Sequence, residues 1–446
     1  MNERDERSDE PTGRAQGSRR HHAGWLLAGG VGQAGLAFAA NLVLVRFIAP
    51  EVFGRFALAY AGLSLVLSIA SLRIGALVLR APRDASYDPS RYWSALLFEG
   101  AFAALLCSAV LVAGGQLESW VAVLLAACIG KHVAQHGRAF LEREGRWPRL
   151  AQLEGLAQLV SHGAAVALAC AGAGLGALVL REAVLAVAWL VLLGWAGGLP
   201  RSTPRRLHMW EWRALWRECR DVWFDGVLEG AFARAMVLAA GLVGGERGAG
   251  LFAQAHRLAF VPHQLLAPLV SRLAFAWFSA ERDGGRLRRR MAWLLAGPLA
   301  ALAGLGVWLG PIAIPLLFGR EWSAVAPLFA ALFGVILGIS LLELCKVQFY
   351  AERRPFGLCA LRAMQFGGLG AGFLLAPPGG VFTLCLGISA GTLGALAVAW
   401  ALLEFRRPNG EQPLGRGALA SDGTSQVTRA PGGSEPESRA GRHRAA

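Results

Sequence analysis

Long apolar runs, broken by short stretches that carry arginine, set the pattern of this chain. A helix needs about 20 apolar residues to cross a bilayer. The pattern predicts twelve such segments: 24–48, 54–80, 92–113, 119–138, 149–172, 175–195, 222–243, 249–280, 291–318, 323–350, 356–376 and 381–403. Segments 54–80 and 249–280 are long enough to tilt or to extend past the bilayer. A six-residue pattern, G-x-F-A-x-A, occurs at Gly54–Ala59 and again at Gly250–Ala255, each time opening a long apolar segment. A repeat at matching places in two hydrophobic halves suggests a duplicated bundle, a common transporter architecture. Its small residues and Phe read as packing rather than chemistry.

The positions of the arginines give an orientation. One alternating set of loops holds Arg80, Arg83 and Arg91, then Arg138, Arg143, Arg146 and Arg149, then Arg201 to Arg220, Arg282 to Arg290, and Arg353 with Arg354. The other set holds little beyond Arg46, Arg55, Arg247 and Arg320. Positive loops stay on the cytoplasmic side, so both termini are expected there. Six helices before the central loop return the chain to the same side. The fold class expected is therefore an all-α polytopic membrane protein, about twelve transmembrane helices in two parallel six-helix halves.

The expected domains are a disordered basic tail at 1–23, a first bundle at 24–195, a cytoplasmic interfacial linker helix at 196–221, a second bundle at 222–405 and a disordered tail at 406–446. In the linker, Trp210, Trp212 and Trp216 alternate with Arg205, Arg206, Arg213, Arg217 and Arg220, the pattern of a helix lying on the inner leaflet. The last tail is rich in Gly, Pro, Ser and Arg. The first twenty residues are polar, so no cleaved signal peptide is expected.

Composition agrees with a membrane protein: 55% of residues are hydrophobic and 17% charged, against about 25% charged in soluble domains. The net charge of +14 would suggest nucleic acid in a soluble protein. Here it follows topology, and no nucleic acid partner is expected. The seven Cys form no C-x-x-C and read as buried small hydrophobes. No phosphate-cradling G-x-x-x-x-G-K-[ST] loop is present. No cofactor and no metal are expected, and the chain is not expected to be an enzyme.

Charges within the apolar segments carry the candidate chemistry. A charge at the bilayer centre costs at least about 2.5 kcal/mol on insertion scales, so it usually faces a cavity or a partner. Arg234 is the deepest cation, and Arg257, Arg73, Lys131 and Arg272 lie one or two turns from a helix end. Together they read as a cationic substrate-binding cavity suited to a diphosphate, because guanidinium pairs bidentately with phosphate oxygens. The competing reading is snorkelling of long side chains to the interface, which is the reading for Arg181 and Arg362. Asp225 and Glu229 share a helix face and are, with an isolated Glu99, the ion-coupling candidates. Neutralising a neighbouring cation is the alternative for Asp225 and Glu229. Glu343 and Lys346, three apart, read as an internal pair, Glu154 as structural, and Gln33 and Asn41 as interhelical hydrogen bonders. Pro262, Pro268, Pro298, Pro311 and Pro315 are expected to interrupt their helices, either as hinges or as static kinks.

At this point a family resemblance enters. RFIAPEVFGRFALAYAGLSLVLSIASLRIG at 46–75, FLEREGRWPRLAQLEGLAQLV at 140–160, GLFAQAHRLAFVPHQLLAPLVSRLAFAWFSAERD at 250–283 and PIAIPLLFGREWSAVAPLF at 311–329 occur in order. Together they resemble the bacterial polysaccharide-biosynthesis or O-antigen flippases of the multidrug/oligosaccharidyl-lipid/polysaccharide exporter superfamily, over roughly residues 24–405. The resemblance implies a multi-pass inner-membrane flippase. It would move an undecaprenyl-diphosphate-linked oligosaccharide for lipopolysaccharide, capsule or exopolysaccharide biosynthesis by alternating access. Its partners would be that lipid-linked substrate, membrane lipids, and a polysaccharide polymerase with its assembly proteins. One departure stands out: many relatives carry an Asp in the seventh helix, where this chain reads Arg234-Ala235-Met236. The rival readings are a multidrug/cation antiporter of the same superfamily, a membrane-embedded glycan polymerase or ligase, and a structural scaffold of the assembly machinery. Cationic deep residues disfavour the first, and short outer loops without His or paired carboxylates disfavour the second. The third leaves the buried charges unexplained.

Overall fold

The computed structural model describes residues 30, 32–80, 88–116, 118–199, 203–280, 284–352 and 354–405, with the side chains of 80, 221–222, 267–280, 284 and 355 outside the description. The tails expected at 1–23 and 406–446 therefore lie outside the described residues. Contacts gather the described residues up to Glu404 into one compact unit. All regular structure among the described residues is helical, and nine of the described helices are long and apolar enough to cross a membrane.

The chain begins with α1 (Gly32–Phe47). Then come α2 (Pro50–Ala70), α3 (Ile74–Arg80), α4 (Pro89–Ala113), α5 (Ser119–Arg143), α6 (Trp147–Cys170) and α7 (Leu175–Trp195). After the central loop follow α8 (Met209–Ala280), α9 (Gly284–Phe318), α10 (Val325–Ala331), α11 (Phe333–Ala351), α12 (Pro355–Leu375) and α13 (Val381–Phe405).

The breaks fall elsewhere than the prolines predict. Pro298, Pro311 and Pro315 lie inside a continuous α9. Neighbouring helices and side chains can satisfy the carbonyls that a membrane proline frees; the helix's last carbonyls, of Leu316 and Leu317, accept from Arg46. The expected segment 54–80 is instead two helices, parted at Ser71–Arg73. Segment 323–350 is also two, parted at Leu332. The seventh and eighth segments are, as expected, two helical arms, both within α8, and they meet at a kink at Gly245 (φ 64°, ψ −164°), where a side chain would be strained. The Trp/Arg linker is no separate element; from Met209 it is the first part of α8. Leu215 and Cys219 bury one face of it against Ile74, Val78 and Leu96, while Trp210 and Trp216 are exposed.

Lipid is as apolar as leucine, so helices in a membrane associate through close packing rather than through hydrophobic transfer. Small residues on α2 and α8 supply that packing. Along its length α2 runs beside α8: Leu58 meets Gly241 and Ser68 meets Gly230 on the first arm, and Gly54 meets Glu246 and Gly250 just past the turn. The two G-x-F-A-x-A copies touch one another. A Cβ on Gly54 would lie 1.6 Å from the Glu246 carbonyl oxygen, and one on Gly250 would lie 1.9 Å from the Pro50 carbonyl oxygen. The motif's glycine is thus what lets the backbones meet. Its Phe is core: Phe56 and Phe252 are buried, and each stacks on the ring four residues later, Tyr60 and His256.

Near this contact packs buried Trp322, whose Nε1 donates to the Val45 carbonyl at 2.9 Å and whose ring meets Phe53 edge-on. Outward faces carry exposed Val187, Val191, Trp293, Trp308, Ile312 and Leu374. Exposed apolar surface on this scale marks a lipid-facing boundary.

Candidate functional site

Three adjoining cavities lie among α1, α2, α5, α6, α7 and α8. The first, about 310 Å³, is walled by Tyr60, Ser64 and Ser68 of α2, Arg73 at the α2–α3 break, Lys131, His132 and Arg138 of α5, Glu154 and Gln158 of α6, and Arg234 of α8. The second, about 360 Å³, shares Tyr60 and Arg234 with it and adds Phe56, Arg181, Glu182, Gln254 and Arg257. The third, about 240 Å³, shares Arg181, Glu182 and Arg257 with the second and reaches His162 and Gln264. Arg73, Lys131, Arg234 and Arg257, far apart in sequence, are therefore brought to the walls of two adjoining cavities. The side chain of Arg272 lies outside the described residues.

Six cationic side chains line these walls against two carboxylates. The two carboxylates are both taken. Glu182 receives Lys131 Nζ at 2.5 Å and Arg181 Nη2 at 2.6 Å. Glu154 receives Arg138 Nη2 at 2.5 Å and Gln33 Nε2 at 3.2 Å. Lys131 also donates to the Tyr60 hydroxyl at 3.1 Å. The remaining cations meet no carboxylate within ion-pair distance among the described residues. Arg73 donates to the Gly226 carbonyl. Arg257 donates to Asn41 Oδ1, and Asn41 in turn donates to Gln254 at 3.0 Å. Arg234, on the wall shared by two cavities, forms no described bond to protein.

Arg181 and Glu182 were not legible as site residues. The distance of Arg181 from its helix end suggests snorkelling, yet it is buried, packed over the Phe56 ring and bonded to Glu182. The one signal available was the adjacent Arg-Glu pair inside an apolar segment. Arg362 is a second correction: it is buried, with its guanidinium 3.1 Å from Glu229 and 3.8 Å from Asp225. The cause is the same in both cases, a carboxylate on hand inside the bundle.

The acidic candidates gather elsewhere. Asp225 and Glu229 of α8 meet Lys346 and Tyr350 of α11 and Arg362 of α12. Lys346 Nζ is 3.0 Å from Glu229, 3.9 Å from Asp225 and 3.9 Å from Glu343, and the Tyr350 hydroxyl donates to Asp225. Glu99 is not isolated. Its Oε1 accepts the Leu72 N–H at 2.9 Å, and its Oε2 lies 3.3 Å from His132 Nε2. Among the described residues no group of His, Cys, Asp and Glu is arranged to hold a metal.

The sequence model of a family described as "Polysaccharide biosynthesis protein" matches residues 43–327. A sequence search of curated proteins finds no match. Among solved structures, the fold is similar to the lipid II flippase MurJ in an inward closed conformation, at 9% identity and a TM-score of 0.66, over 85% of this chain and 87% of that one. It is also similar to an inward-facing multidrug resistance MATE family transporter of the MOP superfamily, at 14% identity and a TM-score of 0.61, over 83% and 93% of the two chains. A MOP superfamily transporter from Pyrococcus furiosus Vc1, described by the reverse polarity of its binding pocket, gives 14% identity and a TM-score of 0.56, over 85% and 94%. Likeness at these identities establishes the fold alone.

Proposed function

Because the chain belongs to the polysaccharide biosynthesis protein family, we propose that it is a bacterial inner-membrane flippase for an undecaprenyl-diphosphate-linked oligosaccharide. Such glycans feed lipopolysaccharide, capsule or exopolysaccharide. On this reading the chain crosses twelve times in two parallel halves, with both termini cytoplasmic. The contact of Gly54 with Gly250 closes one end of the pathway, and alternating access parts it.

One observation carries the proposal: Arg73, Arg234 and Arg257 border adjoining cavities without a carboxylate partner among the described residues, while Arg138 beside them is paired with Glu154, and Lys131 and Arg181 share Glu182. Unpaired charge inside a bundle is costly. An anionic substrate that arrives with its own charges offsets that cost, and a diphosphate offers the oxygen geometry that guanidinium groups bind in pairs. Tyr60, Ser64, Ser68 and Gln158 offer hydroxyls and an amide to sugar hydroxyls in the same space. A cavity of this sign repels organic cations, which counts against an antiporter of cationic drugs.

The test is reconstitution in liposomes with a fluorescent lipid-linked oligosaccharide. A charge-assisted hydrogen bond contributes about 1.5–3 kcal/mol, so Arg234→Ala is expected to slow flipping about 10- to 150-fold. Flipping at the wild-type rate overturns the assignment.

A further inference from the structure

We propose that Glu99 is a positioning residue for Arg73: it holds open the break between α2 and α3 and so turns the Arg73 guanidinium into the cavity. The proposal rests on the anion-binding role given to Arg73 above, and it assigns Glu99 a task other than ion coupling.

The break is not one that glycine or proline makes. Ser71-Leu72-Arg73 contains neither Gly nor Pro, and helix resumes at Ile74. Arg73 nevertheless adopts φ 59°, the left-handed region that residues with a side chain seldom enter. Such a conformation persists only where the surroundings impose it. The surroundings here are α4 and α5. Buried Glu99 of α4 accepts the Leu72 N–H, a donor that the break frees from the helix, at 2.9 Å. His132 of α5 backs the carboxylate at 3.3 Å. Ser71 Oγ accepts the Arg73 N–H at 3.2 Å.

The consequence is a change of direction. In an unbroken helix, position 73 would lie over position 69, four residues earlier on the same face. Ile69 is 48% exposed, so Arg73 would follow it outward. With the break, Arg73 reaches α8 instead, donates to the Gly226 carbonyl and lines the cavity. Gly226 leaves the room: a Cβ there would lie 2.5 Å from Arg73 Nε.

The experiment measures binding of farnesyl diphosphate to the purified full-length chain in nanodiscs. Glu99→Gln keeps a carbonyl acceptor for Leu72 N–H and is expected to bind within about twofold of wild type. Glu99→Leu removes the acceptor and is expected to weaken binding about tenfold or more, as Arg73→Ala does. The double variant Glu99→Leu/Arg73→Ala is expected to bind no worse than Arg73→Ala, because Glu99 acts through Arg73. Where Glu99→Leu yields no folded protein, Glu99→Asp, which draws the carboxylate back by one methylene, is expected to bind several-fold more weakly than Glu99→Gln. Wild-type binding by Glu99→Leu or Glu99→Asp, or losses that multiply in the double variant, overturns the positioning role alone. Wild-type binding by Arg73→Ala overturns the anion role of Arg73 and this proposal with it.

Discussion

Gly54→Ala tests whether the repeated motif sets the closed end of the pathway. The added Cβ would lie 1.6 Å from the Glu246 carbonyl oxygen, whereas ordinary contact begins near 3.4 Å. Relief needs roughly 2 Å more room between α2 and α8, because the obstacle is backbone and no rotamer change clears it. Overpacking of this kind costs about 1–3 kcal/mol. That cost falls on the conformation with this end closed and vanishes when the helices part. At about 1.4 kcal/mol per tenfold, the open-to-closed ratio rises about 5- to 140-fold. Gln254, buried and bonded to Asn41 beneath the contact, serves as reporter. Gln254→Cys is introduced after the seven native cysteines are replaced, and its labelling by an impermeant maleimide is timed. Gly62→Ala is the control, since a Cβ there meets nothing within 4 Å. Faster labelling in Gly54→Ala than in Gly62→Ala is expected. Equal rates in two folded proteins would refute the reasoning.

Other outcomes follow from the charge pairs. Glu182→Gln strands Lys131 and Arg181 together, and a broken buried pair typically costs about 3–5 kcal/mol; unchanged thermal unfolding of the purified protein would contradict it. Lys346→Met leaves Asp225 and Glu229 to Arg362 and takes from Glu343 the cation it faces. It is expected to destabilise by about 3 kcal/mol, with partial recovery on adding Glu229→Gln, read in a double-mutant cycle. Ahead of the apolar stretch Trp223–Leu266, the hydrogen bond from Arg205 at 2.6 Å holds the Glu211 carboxyl below its ordinary value, helped by the His208 N–H. A depressed carboxyl stabilises the fold above its unfolded-state value, about 4.3, and that contribution is lost as pH falls through the lower folded value. The stability gap between wild type and Glu211→Gln is therefore expected at pH 7 and should narrow as pH falls below about 4.3; a gap that stays constant on acidification would count against the pair.

The apolar runs announce most of the helices, since length and hydropathy alone define them. Arg234 and Lys131 are legible for the same reason, as charges where charge is expensive. What stays hidden is whatever depends on a partner distant in sequence. The α2–α3 break has no Gly or Pro to signal it, because its acceptor is Glu99, 27 residues on from Leu72. Arg362 looks able to snorkel until α8 is seen to carry Glu229 and Asp225 toward it. The prolines mislead in the opposite sense. They mark lost backbone bonds, which a crowded bundle can replace, whereas the turn in α8 falls at Gly245, where a positive φ is needed.

The division of charge between the two clusters bears on how movement is driven. Asp225 and Glu229 already hold Lys346 and Arg362, so a coupling cation would have to displace tethered ones. The cationic cavity is different, because Arg73, Arg234 and Arg257 keep unspent capacity for an anion. A ligand shifts a conformational equilibrium only by its differential affinity for the two states. Those three arginines sit around the bends of the fold: Arg73 ends the break after α2, Arg234 precedes the turn at Gly245, and Arg257 follows it. On the proposed reading, a diphosphate that engages all three ties α2 to both arms of α8. These are the helices that Gly54 and Gly250 allow to meet. Substrate charge and backbone contact then act on one helix pair. Discharging the anion at the far side removes the force that favoured its loaded arrangement.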